Sequence, residues 1–458
     1  MKFKRAKKQY EMDMCTGPLV PKLLRFALPL MLTGILQLLY NAADVVVVGR
    51  FAGDTALAAV SSTGSLINLI VNVFMGLSVG ASVITSRYYG AGDYKSVGQT
   101  VHTSIGISLI CGLIVTIFGV VMARELLILM DSPPDVLDQA TLYVQIYFAG
   151  MIPNMLYNFG AAILRAVGDT KRPLYYLSIS GLVNVLLNLL FVIAFHMGVA
   201  GVALATIISQ VISAILVTVC LMRTEGAIHL DWSKVRIHWR KLGEIARVGL
   251  PAGFQGAVFS ISNVLIQSSI NSFGSAVMAG NGAASNIEGF AYTAMNAFHQ
   301  AAVSFTSQNV GAKKYDAINR ILISCLIIVA VVGLVMGNGI YLLGNVLVGI
   351  YTPDPVVIQY GIDRLSIVCT TYFLCGMMEV VVGSLRGMGA SVTPMIVSAL
   401  GACGLRILWI YTIFAANRTT QMLFISYPVS WILTTAVHII CYIVIRKRLI
   451  RRNTLAEA

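Results

Sequence analysis

Gln37, Tyr40, Asn41 and Asp44 stand at i, i+3, i+4 and i+7 in an otherwise apolar stretch, so a helix gathers them on one face. A carboxylate among neutral oxygen donors binds Na+ or takes up a proton, since either one neutralises it. Asn184 and Asn188 form a second i, i+4 pair, and Thr206 adds a hydroxyl. Two more carboxylates, Glu288 and Glu379, fall within long apolar runs. Each has two readings: a substrate or proton site, or a salt bridge to Arg406 or Arg364. His299, in Asn296-Ala-Phe-His299-Gln300, either titrates or packs as an interfacial ring. Tyr292 either lines a cavity or packs against its neighbours.

Such residues carry weight only if a membrane surrounds them, because an ionisable group at bilayer depth costs several kcal/mol unless it is wet or paired. Composition supplies the membrane. Hydrophobic residues make up 57% of the chain and charged residues 11%, against roughly 25% charged in a soluble domain. Runs long enough to cross about 30 Å of hydrocarbon recur throughout. Twelve are expected, at 23–48, 56–85, 97–122, 137–164, 173–196 and 198–222, then 245–272, 276–306, 316–340, 357–384, 392–416 and 420–446. The runs are continuous rather than alternating, which selects helices over a barrel.

The net charge of +13 is distributed by side. With the N-terminus inside, 27 of the 32 Lys and Arg fall on the cytoplasmic side, three (Arg50, Arg124, Arg418) fall opposite, and two (Arg364, Arg406) lie inside spans. This is the positive-inside bias, which places both termini in the cytoplasm. Basic tails such as Lys2-Phe3-Lys4-Arg5 and Arg446-Lys447-Arg448 then set topology, and nucleic acid is not an expected partner.

The chain is also duplicated. Leu164-Arg165-Ala-Val-Gly168, closed by Pro173, returns 221 residues later as Leu385-Arg386-Gly-Met-Gly389, closed by Pro394. Ser86, Gly90, Ala91 and Tyr94 return as Ser307, Gly311, Ala312 and Tyr315 at the same shift. An even number of spans per copy makes the repeats parallel. The expected fold is an all-α integral membrane protein with twelve transmembrane helices in two parallel-repeat lobes of six. The N-terminal lobe is 1–222, a cytoplasmic linker is 223–244 and the C-terminal lobe is 245–458. Charge breaks the symmetry, since Glu288 maps onto Ile67 and Glu379 onto Asn158 at the 221 shift, and Asp44 onto Ile266 at the span-1 shift of 222 set by Pro29 and Pro251. The repeated Leu-Arg strings read as braces for equivalent cytoplasmic loops. Small-residue faces such as Gly76-Leu-Ser-Val-Gly80 and Gly333-Leu-Val-Met-Gly337 allow close helix packing.

Enzymatic chemistry lacks its parts. No GxxxxGK[ST], HExxH or dinucleotide GxGxxG pattern occurs, and the GxSxG match at Gly76–Gly80 lies in an apolar helix rather than a strand-turn-helix. No cofactor is expected, and no metal beyond Na+ at Asp44.

Leu28-Pro29 followed by Asn41-Ala-Ala-Asp44 and Gly49, the string from Leu164 to Pro173, Gly198 to Thr206, Gln308-Asn-Val-Gly311-Ala and Leu385 to Gly389 together resemble the multidrug and toxic compound extrusion (MATE) transporters of bacterial type. The resemblance covers nearly the whole chain. It implies two facing six-helix lobes, alternating access, and export of cationic or amphipathic compounds by antiport with H+ or Na+. It further implies a monomer in the cytoplasmic membrane of a bacterium and an N-lobe cation site of Asp44, Asn184, Asn188 and Thr206. Many members have an aspartate where Asn188 stands, so this chain carries one charge fewer there. The span-10 acid of other branches aligns with Cys375, one turn before Glu379. Flipping of a lipid or glycan-lipid, known in the same superfamily, is the alternative and requires a strongly basic cavity.

Overall fold

The computed structural model describes residues 10–130 and 132–457, and every regular element among them is helical. Lys2, Lys4 and Arg5 of the basic N-terminal tail lie outside the described residues. Apolar runs become helices because a chain in hydrocarbon must satisfy its own backbone hydrogen bonds.

The first half comprises α1 (Leu19–Phe51), α2 (Asp54–Gly90), α3 (Tyr94–Leu129), α4 (Pro134–Ala149), α5 (Met151–Ala166), α6 (Lys171–Leu189) and α7 (Gly198–Arg223). The second comprises α8 (Trp239–Asn271), α9 (Ser275–Gly311), α10 (Tyr315–Leu342), the short α11 (Gly344–Gly349), α12 (Pro355–Arg364), α13 (Tyr372–Gly387), α14 (Val392–Ser398), α15 (Leu405–Trp409) and α16 (Thr420–Glu457). Nine single helices among the described residues are long and apolar enough to cross a membrane, and α12 with α13 makes a tenth, bent by 43°. The other two expected spans are present in altered form. Gly150 divides the fourth into α4 and α5, and α9, the eighth, has the length but carries Asn281, Asn286, Glu288 and His299 along it.

Several spans leave the α-helical repeat. π-helical turns occupy Leu190–Ala194, Leu365–Cys369, Ala399–Gly404 and Ile410–Phe414. Such wide turns frequently mark functional segments.

Backbone conformation repeats with the sequence. Gly53 and Gly274 precede α2 and α9 with φ of 90° and 97°, and Gly168 and Gly389 follow α5 and α13 with φ of 92° and 87°. Both pairs are 221 residues apart, and each needs a left-handed conformation that glycine adopts without strain.

The helices divide into two compact units. One contains Ile35–Leu250 and residues 10–16, the other Gly17–Gly34 and residues 251–457. The divisions fall inside α1 and α8, near Pro29 and at Pro251, where each helix lacks a backbone donor.

In the first unit, Val97, Val101 and Ile105 on α3 pack with Ile163 and Leu164 on α5 and with Val217 and Leu221 on α7. Ile228 and Leu230, from the connection after α7, insert into the same cluster. That connection contains one 3-10 turn, Trp232–Lys234, and becomes α8 at Trp239. It is fastened to α3, where His102 Nε2 accepts from the Asp231 amide at 3.1 Å and the His238 amide donates to Thr103 Oγ1 at 3.2 Å. The small faces bring backbones together. A Cβ on Gly80 would lie 2.3 Å from Ile245 O, and one on Gly337 would lie 2.2 Å from Cys369 O. In the second unit, Ile266, Val368, Met378, Leu423, Phe424, Tyr427 and Trp431 form the central apolar cluster. Outward side chains such as Val121, Val335 and Leu400 are apolar and at least 68% exposed, as a lipid-facing surface requires.

Candidate functional site

In the first unit, α1 presents Tyr40 and Asp44 half-buried and Gln37 and Asn41 exposed. Tyr40 donates to Ser178 O on α6 at 3.3 Å. Its ring lies against Gly181, where a Cβ would come within 1.8 Å of Cε2. That contact seats α1 on α6 and brings Asp44 beside Asn188, whose side-chain amide donates to Asp44 Oδ1. The same amide lies 3.4 Å from Asn184 Oδ1. Asn188 is fully buried, and its Oδ1 has no hydrogen-bond partner. The structure thus brings Asp44, Asn184 and Asn188 together. Thr206 on α7 spends its hydroxyl proton on Val202 O at 3.0 Å, and the Gln37 and Asn41 side chains have no hydrogen-bond partner among the described residues.

Sequence reasoning overlooked two tyrosines. Tyr143 and Tyr147 on α4 belong to the surroundings of Asp44. Their i, i+4 spacing in the fourth span was the available signal.

In the second unit, Glu288 on α9 and Arg364 at the end of α12 form a buried bidentate pair. Arg364 Nε donates to Oε1 at 3.0 Å and Nη2 to Oε2 at 2.8 Å. Nη1 donates to Asn281 Oδ1 at 2.7 Å, and Asn281 donates on to Gln267 at 3.2 Å. Of the two readings for Glu288, the geometry realises the salt bridge.

Glu379 pairs with neither Arg364 nor Arg406. Its nearest basic partners are His299, with Nδ1 3.4 Å from Oε2, and Arg386, whose charge acts on it. His299 Nδ1 donates to Glu379 O at 2.7 Å, and its Nε2 receives Arg386 Nη1 at 3.3 Å. Both contacts require the neutral ring with its proton on Nδ1. His299 is thus a packed bridge in this arrangement. Arg386 Nη2 also donates to Gln255 Oε1 at 2.9 Å. The loop brace expected of Arg386 is corrected here: the side chain turns into the helix bundle, because Gln255, His299 and Glu379 offer it partners that a loop would not. Tyr292 is 42% exposed and near Glu379 and Arg386.

Against known proteins, the MatE family model matches residues 29–190 and again 251–412, two matches whose starts differ by 251 − 29 = 222 residues. The chain belongs to the MatE family. Two matches at that spacing give the duplication an independent basis, so this MatE protein is a multi-pass membrane protein of two repeated lobes. It is 28% identical to the probable multidrug resistance protein YpnP of Bacillus subtilis, over 86% of this chain and 88% of that one. It is 24% identical to YoeA of the same organism, also a probable multidrug resistance protein, over 83% and 84%. Among solved structures, an outward-facing multidrug resistance MATE family transporter of the MOP superfamily superposes with a TM-score of 0.90 at 22% identity, over 97% of this chain and 99% of that one.

Proposed function

We propose that the protein is a secondary active exporter that moves cationic or amphipathic small molecules outward in exchange for H+ or Na+, with the ion taken at Asp44. One observation carries this reading. Of the three carboxylates at membrane depth, Glu288 is tied to Arg364 and Glu379 lies near Arg386, whereas among the described residues Asp44 has only a neutral amide as its hydrogen-bond partner. A desolvated carboxylate without a cation is costly, and a proton or a metal cation relieves that cost. The Asn188 amide orients it, and the unpartnered Asn188 Oδ1 and Asn184 Oδ1 supply neutral oxygen for Na+. Ion binding drives transport only if it differs between two packings of the lobe, and the wide π turn that ends α6 gives that helix a place to change.

The names of the relatives, multidrug resistance proteins, support the substrate class and disfavour lipid flipping. In the first unit, Gln37 and Tyr40, the first exposed and the second half-buried, are the side chains this reading assigns to such a compound. The charge asymmetry supports both termini in the cytoplasm and a cytoplasmic-membrane location in a bacterium. Export from vesicles driven by separately imposed pH and Na+ gradients tests the reading: it requires one of the two gradients to drive saturable export, and flux indifferent to both counts against it.

A further inference from the structure

We propose that the C-terminal lobe holds a small anion, chloride or a carboxylate group, on the guanidinium of Arg406. Arg406 is carried by α15 and is 3% exposed. Its Nε donates to Ser430 Oγ at 2.8 Å. Its guanidinium carbon stands 4.3 Å from the centre of the Tyr427 ring and 5.6 Å from that of Trp431. Among the described residues it pairs with no carboxylate, and Ser430 is the one hydrogen-bond partner of its side chain.

The neighbouring charges do not close the balance. Arg364 stands over the same Tyr427 ring at 5.3 Å, and its charge is met by Glu288. Two guanidiniums and one carboxylate leave a positive charge over in a buried cluster. Leaving a charge unpaired in a buried site costs more than stacking on an aromatic face returns. An anion on the free Nη edge removes the deficit with charge-assisted hydrogen bonds. The local backbone is irregular where such a ligand would sit: five-residue α15 is flanked by the π turns Ala399–Gly404 and Ile410–Phe414. Arg406 at 3% exposed, between the Tyr427 and Trp431 rings, favours a small occupant, a halide or a single carboxylate. Because the site is in the other lobe from Asp44, it is independent of the exchange reading.

The test uses the purified full chain in detergent, with gluconate as the reference anion at constant ionic strength. Chloride and acetate are titrated in separately while thermal unfolding is followed. Iodide quenching of Trp431 is measured alongside, with Trp431→Phe identifying its share of the fluorescence. The expected result is a saturable rise in the unfolding midpoint and a saturable quench displaced by the same anion. Displacement by chloride identifies a halide site, and displacement by acetate alone a carboxylate site. Arg406→Met should weaken the anion on the order of tenfold or abolish it, with Arg406→Lys retaining part of the affinity. If Arg406→Met does not fold, Ser430→Ala and the wild-type titrations decide. No midpoint shift with either anion, a quench linear in iodide, or a saturable response kept in Arg406→Met overturns the proposal.

Discussion

Asn188 on α6 donates its side-chain amide to the carboxylate of Asp44 on α1, and among the described residues no basic group pairs with that carboxylate. The contact makes Asp44 responsive to a small ion, since a neutral donor orients the carboxylate without compensating its charge. Arg364 does the opposite to Glu288, holding it through two hydrogen bonds at 3.0 and 2.8 Å.

Asn188→Leu should therefore lower gradient-driven export roughly tenfold, the order of effect of losing one hydrogen bond to a charged group. Initial rates in vesicles, normalised to protein incorporated, check this. A rate equal to wild type removes Asn188 from the coupling unit.

Glu288→Gln leaves Arg364 buried and uncompensated, and should destabilise the C-terminal lobe by about 3–5 kcal/mol. Thermal unfolding in detergent is the readout. Glu288→Gln with Arg364→Met should be more stable than Glu288→Gln alone, since the stranded charge is gone.

Within α2, two glycines should respond oppositely to alanine. Gly80→Ala drives a methyl against Ile245 O on α8 and should cost about 1–3 kcal/mol. Gly64 has nothing within 4 Å of its Cβ position, so Gly64→Ala should be neutral or stabilising by up to about 1 kcal/mol. Paired unfolding curves separate the two.

The connection between α7 and α8 should loosen in acid. Burial, then the Arg236 guanidinium, hold His238 below its ordinary value of 6.5, with His102 and Lys241 adding positive charge and the Arg236 backbone opposing them. Arg236 Nε donates to His238 Nε2 at 3.1 Å, and Thr103 Oγ1 lies 3.2 Å from Nδ1. A depressed histidine contributes stability that is full above the unfolded value, about 6.5, and is lost as pH falls toward the folded one. Hydrogen exchange across 224–238 should accelerate below about pH 6.5, and His238→Gln should flatten that dependence.

The fold was legible because lipid permits few solutions: apolar length marks the spans, and the 221-residue shift marks the repeat. The breaks were not legible. Gly150 reads in sequence like any packing glycine, and π turns leave the apolar pattern almost unchanged. Within the site, the α1 face from Gln37 to Asp44 follows from helical spacing alone. Its link to Asn188, 144 residues away, came only through the family resemblance. Arg386 was hidden by its own repeat: matching Arg165 made it look like a loop marker, whereas its partners Gln255, His299 and Glu379 have no counterparts of the same type in the first half.

The central claim is tested most directly by reconstituting wild type and Asp44→Asn at equal density and imposing first a pH gradient and then a Na+ gradient. The account predicts that the gradient driving wild-type export fails to drive Asp44→Asn, while unfolding midpoints stay comparable. Export by Asp44→Asn at the wild-type rate under that same gradient would contradict it.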